Sequence, residues 1–432
     1  MARSLSAVWH PCTQMKAHET LPLIPIKEGR GLWLYDFDGR RYLDAISSWW
    51  VNLFGHCNPR INAALHEQLD KLEHVLLAGF THQPVIELSE RLSRLAPRGL
   101  GHCFYGSDGA SAIEIALKMS FHFWRNSGKD QKTGFISLAN GYHGETLGAL
   151  SVTDIPLFKD TYAPLLRHNA SVPSPDSRCA AAGEYSLQYA LRCAEKLEAY
   201  LNQHHRELAA FIVEPLVQCA GGMAMYHPEY LKRARQLCDQ YEVHLIADEI
   251  AVGFGRTGTL FACQQAGITP DFLCLSKGLT GGYLPLSVTL TTDGIYQAFY
   301  HDETARGFLH SHSYSGNALA CRAALATLDI FEQDKVIQNN YARSALLTKI
   351  SQPLARHARV KDFRNTGMIW AFEVLAEDKN FARNFYRAAL EQELLLRPLG
   401  NTVYFMPPYI INEEEMHWLV NKTINLVEKF PK

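Results

Sequence analysis

The sequence predicts an α/β fold: a large domain on a mostly parallel sheet covered by helices, joined to a smaller α+β domain. Three observations carry this. Short apolar runs alternate with amphipathic helical patterns from about residue 100 to residue 292. Several runs close on an ionisable residue. After about residue 330 the pattern changes to helix, short strands and helix again. Short strands that read as continuous apolar runs are buried on both faces, which is the signature of a parallel sheet between helices.

Residues 1–55 read as irregular with short strands. "GLWLYDFDGRRYLD" (31–44) holds two apolar runs around Asp38-Gly39, a hairpin signal. "INAALHEQLDKLEHV" (61–75) and "PVIELSERLSRLA" (84–96) carry apolar residues at helical spacing, with Pro84 suited to a first turn. The strand candidates follow: "HCFYG" (102–106), "GFISLAN" (134–140), "AAFIVEP" (209–215), "VHLIADE" (243–249), "DFLCLSK" (271–277) and "LSVTLTT" (286–292). Helical patterns lie between them, including 110–126 and 228–241. "TGMIWAFEV" (366–374) and "TVYFMPP" (402–408) are the late strand candidates.

Composition narrows the function classes. The chain has 432 residues, 47% hydrophobic and 20% charged, enough for a large core. A net charge of -2 gives no pull toward nucleic acid or an anionic membrane. No apolar stretch is long enough for a membrane span, and the first residues lack a signal-peptide core. The ten cysteines form no Cys-x-x-Cys pair, which fits a reducing cytoplasm. No metal site is expected: "HSH" (310–312) and His204-His205 have no cysteine partner nearby in sequence.

In open α/β sheets ligands bind beyond the carboxyl ends of the strands. Glu214, Asp248 and Lys277 all fall there. One such residue alone is more often a solvated strand-end charge; three on one edge point to a site. "GSDGASAIEIALKM" (106–119) sets small residues before a strong helix. It is either a phosphate cup at the positive helix end or a plain cap by Ser107 or Asp108. In "NGYHGET" (140–146), Tyr142 is either a core tyrosine or a plate for a flat ligand. Lysine, carboxylate, cup and aromatic together suggest pyridoxal phosphate. The lysine amine would condense with its aldehyde and later move a proton, and the aspartate would pair with the ring nitrogen. Desolvation would ease loss of the lysine proton.

"ADEIAVGFGRTG" (247–258) followed by "PDFLCLSKGLTGG" (270–282) resembles the class III aminotransferases of pyridoxal-phosphate fold type I. "IVEPLVQCAGGM" (212–223) and "HSYSGNALACRAA" (312–324) belong to the same pattern, and the resemblance covers about residues 8–412. It implies a large cofactor domain over 59–328 and a small domain from both chain ends, 1–58 and 329–432. "VWHPCTQM" (8–15), "AISSWWVNLFGHCNP" (45–59) and "LLRPLGNTVYFMPPYI" (395–410) are similar to one branch of the family. Its members move an amino group from S-adenosylmethionine to 8-amino-7-oxononanoate in biotin biosynthesis, by ping-pong kinetics through pyridoxamine phosphate.

The resemblance implies roles. Lys277 would carry the cofactor and Asp248 its ring nitrogen, with Ile250 and Tyr142 at the two ring faces. Asp108, Gly109 and Ala110 would hold the phosphate, completed by His312 and Ser313 of a second subunit in a homodimer with shared sites. Trp49, Trp50 and Tyr142 would line the substrate pocket, with Ser311 at its edge. Arg397 would pair with a substrate carboxylate, while Arg256 and Tyr404 would stand behind. Three departures matter. "EPLVQCAGG" (214–222) lacks the acid that gates glutamate-using members, which argues for another donor. Cys12 stands where that branch has a substrate-contacting tyrosine. His312 and Ser313 replace proline and threonine. Two alternatives stay open: an ω-aminotransferase for a diamine or ω-amino acid, and a non-catalytic cofactor-binding protein on this fold.

Overall fold

The structure, a computed structural model, describes residues 2–430. Sixteen strands, β1 to β16 in chain order, form among these residues. The central sheet holds β4 (Leu100–Gly106), β5 (Gly134–Leu138), β6 (Ala170–Val172), β7 (Leu208–Val213), β10 (His244–Asp248), β11 (Phe272–Leu275) and β12 (Ser287–Thr292). Its order is β4-β12-β11-β10-β7-β5-β6. β12 runs antiparallel to both neighbours, and the other pairs are parallel. All six strand candidates of the large domain therefore form. β6 was not expected; three residues are too few to show a period.

Alternation of side chains splits the sheet's apolar residues between two cores. Ile212, Ile246, Phe272 and Cys274 face one side and pack with Ile113 and Ala116 of the helix Gly109–Asn126. Val213, Leu245, Leu273 and Leu275 face the other, where Leu197, Leu231 and Leu325 come from the helices Ser186–His204, Glu229–Gln240 and Ala318–Gln333. Each such leucine, fully buried, stabilises the fold by about 1.5–3 kcal/mol. Both faces of β7 and β10 are covered, and every residue of each is buried. Their carboxyl ends are thus held in fixed register.

The chain ends meet in a second sheet, where β15 (Leu394–Leu395) lies parallel to β3 (Arg41–Asp44). β2 (Trp33–Asp36) and β1 (Ile26–Arg30) continue it antiparallel, so the expected hairpin around Asp38-Gly39 forms. β13 (Val360–Thr366), β14 (Ile369–Val374) and β16 (Thr402–Phe405) make a third sheet. β8 (Val217–Gln218) and β9 (Ala224–Met225) form a short hairpin. One helix is shorter than its pattern. The run 61–75 stops at Leu69, because the Gln68 amide donates to the Leu72 carbonyl at 2.7 Å and closes the turn.

Candidate active site

Asp248 ends β10, and Lys277 follows β11 by two residues. They share a cavity of about 270 Å3 with Gly109, Ala110, Tyr142 and Trp50. Three separate stretches of sequence thus converge on the sheet edge where they were expected. The helix Gly109–Asn126 points its first turn into this cavity. Asp108 is its N-cap and accepts the Ser111 N–H at 2.9 Å. The plain cap is therefore real, and it does not exclude a phosphate cup. The carboxylate serves the cap, while the N–H groups of Gly109 and Ala110 are first-turn donors that no helical carbonyl can reach.

Asp248 is 4% exposed. Its Oδ2 lies 2.8 Å from His143 Nδ1, and its Oδ1 accepts the Ile250 N–H at 3.1 Å. Both contacts aim the carboxylate across the cavity. His143 Nε2 is buried with no partner among the described residues. Sequence reasoning passed over this histidine. It sits beside Tyr142 in a loop between two glycines, and its task appears only when the ends of β5 and β10 meet.

Glu214 accepts the N–H groups of Tyr142 and Cys219, each at 3.0 Å. Burial, reinforced by the nearby Asp248 charge and only partly offset by His143, pushes its carboxyl up to about 7. It stitches the Tyr142 loop to the β7 end. The Tyr142 hydroxyl donates to Glu145 at 2.9 Å, and burial with that carboxylate raises its pKa. Gly144 has φ +126, and a Cβ there would lie 2.7 Å from the Ala110 Cβ, so only glycine lets this loop close on the cup.

Lys277 is half-buried in the left-handed region, at φ +43. Burial lowers its pKa, against the opposing pull of Asp248, Cys219 and Glu214. Its Nζ stands 5.6 Å from the Trp50 ring centre. Gly282, at φ +88, lets the lysine loop reach the Val51-Asn52 backbone; a Cβ would lie 2.8 Å from the Val51 carbonyl carbon.

The segment Ser47–Trp50 is one turn of left-handed helix, with φ of +52, +46, +73 and +72. Left-handed turns cost L-residues roughly 1–2 kcal/mol each, so tertiary contacts must hold this one. The two serines do so. Ser47 Oγ donates to the Met406 carbonyl at 2.7 Å, and Ser48 gives its N–H and Oγ to Asp44 at 2.8 and 2.7 Å. Asp44 is braced in turn by His56 Nε2 at 3.0 Å. Trp50 Nε1 donates to the Tyr404 hydroxyl at 3.1 Å. The Arg256 guanidinium, 1% exposed, donates to the carbonyls of Pro407 and Asn52 at 2.8 and 3.0 Å, tying the turn to the segment after β16.

This turn sends its tryptophans to different places. Trp50 lines the lysine cavity; Trp49 lines an outer one of about 680 Å3 with Cys12 and Arg397. The Arg397 guanidinium lies 4.6 Å from the Trp49 ring centre, and its Nη2 donates to the Cys12 carbonyl at 3.3 Å. Ser311, His312 and Ser313 line neither cavity. His312 Nδ1 is 3.3 Å from Ser107 Oγ, beside the cup, and the Ser313 carbonyl accepts from His74 Nε2 at 2.7 Å. Ser311 and Ser313 are exposed.

This fold, with a lysine and an aspartate at adjacent strand ends, defines a cofactor-dependent transferase. The family described as Aminotransferase class-III matches residues 14–427, and the chain belongs to it. It is 50% identical to the adenosylmethionine-8-amino-7-oxononanoate aminotransferase of Helicobacter pylori, covering 100% of this chain and 98% of that protein. The crystal structure of the corresponding protein from Methanocaldococcus jannaschii superposes with a TM-score of 0.93 at 36% identity, covering 100% of this chain and 99% of that one. An omega transaminase from Pseudomonas jessenii, solved in complex with PMP, superposes with a TM-score of 0.94 at 30% identity, covering 99% and 97%. The family's cofactor is pyridoxal phosphate, and the residues present fit it. Leftover helix N–H groups suit an anion, the braced Asp248 a protonated ring nitrogen, and the desolvated Lys277 amine an aldehyde.

Proposed function

We propose that this protein moves the amino group of S-adenosylmethionine to 8-amino-7-oxononanoate, giving 7,8-diaminononanoate for biotin synthesis. The observation that carries this is the full-length 50% identity to a relative of that name, together with the missing gate acid. Cys219, near where glutamate-using members carry that acid, is buried and gives its N–H to Glu214.

In this reading the N–H groups of Gly109 and Ala110 hold the cofactor's phosphate, and Asp248, aimed by His143, holds its ring nitrogen. Ile250 and Tyr142 cover the ring faces. When bound, pyridoxal phosphate supplies an electron-withdrawing ring and a place to store nitrogen between two half-reactions. Lys277 would take the proton from the carbon that bears the amine and return it on the far side of the nitrogen, two atoms away. Its lowered pKa keeps a neutral fraction ready for that task. Trp50 shields the lysine from water. Arg397 takes the acceptor's carboxylate, with Trp49 under its guanidinium. Donor and acceptor enter in turn, so the kinetics are ping-pong.

The working protein is a homodimer in which a second copy brings Ser313 with His312 to the phosphate, although within one chain His312 Nδ1 stands 3.3 Å from Ser107 Oγ. Support comes from the exposed loop that carries them, flanked by Leu309 and Tyr314 at 78% and 65% exposure. The setting is cytoplasmic, supported by ten free thiols. Among the described residues no helix is long and apolar enough to cross a membrane.

A donor screen on the purified holoenzyme tests the reading. S-adenosylmethionine should convert the cofactor to its aminated form, and 8-amino-7-oxononanoate should reverse the change. Amination by glutamate or a diamine, with none by S-adenosylmethionine, would establish the ω-aminotransferase alternative instead.

A further inference from the structure

Residues 8–25 run across the outer cavity as a strap, with His10, Cys12, Thr13, Leu21 and Leu23 in its wall. The strap's own hydrogen bonds are local: Thr13 Oγ1 donates to the His10 carbonyl, and the Leu21 N–H to the Ala17 carbonyl. Among the described residues, two hydrogen bonds join residues 2–25 to the rest of the chain. Both come from arginines that line the cavity: Arg397 donates to the Cys12 carbonyl, and Arg383 to Thr20 Oγ1.

Arg383 belongs to the helix Phe381–Glu391. Phe381, Phe385 and Ala389 bury one face of that helix, while Ala382, Arg383, Tyr386 and Leu390 turn to the cavity. The cavity wall is otherwise apolar over much of its area and, among the described residues, holds no Asp or Glu. Neither arginine takes part in an ion pair among the described residues. Two guanidinium groups without a counter-ion, facing one apolar-walled cavity, suit an anion on an aliphatic chain.

We propose that Arg383 is a further substrate-positioning residue: with Arg397 it holds the terminal carboxylate of a straight-chain acceptor whose methylenes lie along the apolar wall. This rests on the acceptor assigned above, which has that shape. The donor differs. S-adenosylmethionine carries its carboxylate on the reacting carbon and a positive sulfonium beyond it, so it gains nothing from a second distant cation. A carboxylate adds full charge attraction and a bidentate fit to a guanidinium, which a neutral carbonyl or hydroxyl cannot offer. An arriving carboxylate therefore displaces the Cys12 carbonyl and the Thr20 hydroxyl from the two arginines. Acceptor binding and release of the strap's polar tethers are then one event.

The test uses holoenzyme carrying Arg383→Gln, Arg383→Lys or Thr20→Val. It compares KM for both substrates and the calorimetric affinity for nonanoate, a plain nine-carbon carboxylate. Arg383→Gln should raise the acceptor KM about tenfold and weaken nonanoate to match, as loss of one charged hydrogen bond implies. Donor KM and kcat should stay within about twofold, and Arg383→Lys should recover most of the loss. Unchanged acceptor KM and nonanoate affinity in Arg383→Gln would overturn the proposal. So would equal rises for both substrates, or a Thr20→Val effect as large as that of Arg383→Gln, since either would make Arg383 structural. Should the enzyme not use 8-amino-7-oxononanoate at all, the functional reading fails, and the nonanoate titration still decides the cavity.

Discussion

The inner cavity at Lys277 and the outer cavity at Arg397 share one wall, the Ser47–Trp50 turn, and are otherwise built from different parts of the chain. The inner one gathers strand ends and a helix start between residues 108 and 277. Its polar groups are held by the main chain or by each other: Asp248 by His143 and the Ile250 N–H, Glu214 by two N–H groups. The outer one joins residues 10–26 to 382–398. Among the described residues, its two arginines hydrogen-bond only to a carbonyl and a hydroxyl of the strap. In the proposed function the chemistry sits on the sheet edge, while substrate choice falls to the two chain ends.

The largest effect should come from removing the inner amine. Lys277→Ala should lower both half-reactions about a thousandfold or more, because in the proposed function it removes the proton carrier along with the cofactor's anchor. Stopped-flow absorbance on the cofactor-loaded variant checks this. Loss confined to one half-reaction would mean the two substrates do not share the inner cavity.

Next is the closure of the inner wall. Gly144→Ala sets a Cβ against Ala110 at a backbone angle that alanine disfavours. It should destabilise the protein by about 1–3 kcal/mol and loosen the cofactor. Thermal melts with and without pyridoxal phosphate separate the two. A melting curve unchanged in both would mean that the loop has room to shift.

Glu214 gives a signed pH test. Its carboxyl is raised from 4.5 to about 7, so the folded state favours the protonated form. Stability is therefore lost as pH rises from the unfolded value through the folded one. Glu214→Gln removes that loss. Between pH 4.5 and 8 the variant should gain on the wild type by up to about 3 kcal/mol, whatever the offset from its altered N–H contacts. Denaturation of the apoprotein at both pH values measures it, and a pH-independent gap would mean that the Glu214 carboxyl has the same pKa in the folded and unfolded states.

The same contrast explains what the sequence made legible. Strand ends, the cup and the lysine loop are local patterns: an apolar run, a charge, then glycines. Asp248, Lys277 and the 106–110 stretch could be placed from these alone. The Ser47–Trp50 turn could not. Nothing in four non-glycine residues signals left-handed backbone, and the groups that hold it, Asp44 and the Met406 carbonyl, come partly from the far chain end. So the separation of Trp49 from Trp50 into two cavities was hidden, although both tryptophans were picked out. His143 was hidden for a similar reason, since its partner lies 105 residues away. Asp108 sits at the expected helix start, but its carboxylate, expected at the phosphate, caps the helix by accepting the Ser111 N–H.

The smallest effect, and the one that bears most on the outer cavity, is at Cys12. Its thiol is exposed and its residue sits at φ +53, with its carbonyl under Arg397. Cys12→Tyr keeps that carbonyl and that backbone angle, which cost both residue types alike, and adds an aromatic face across from Trp49 and Arg397. Such contacts contribute about 0.5–1.5 kcal/mol, so the acceptor KM should fall about three- to tenfold while kcat holds. Steady-state kinetics with each substrate varied in turn reads the change. A fall in KM for both substrates would place the new ring where they overlap, near the inner cavity. A rise would show that the small residue is there to leave room, and that the width of the outer cavity, more than its charge, sets what this enzyme accepts.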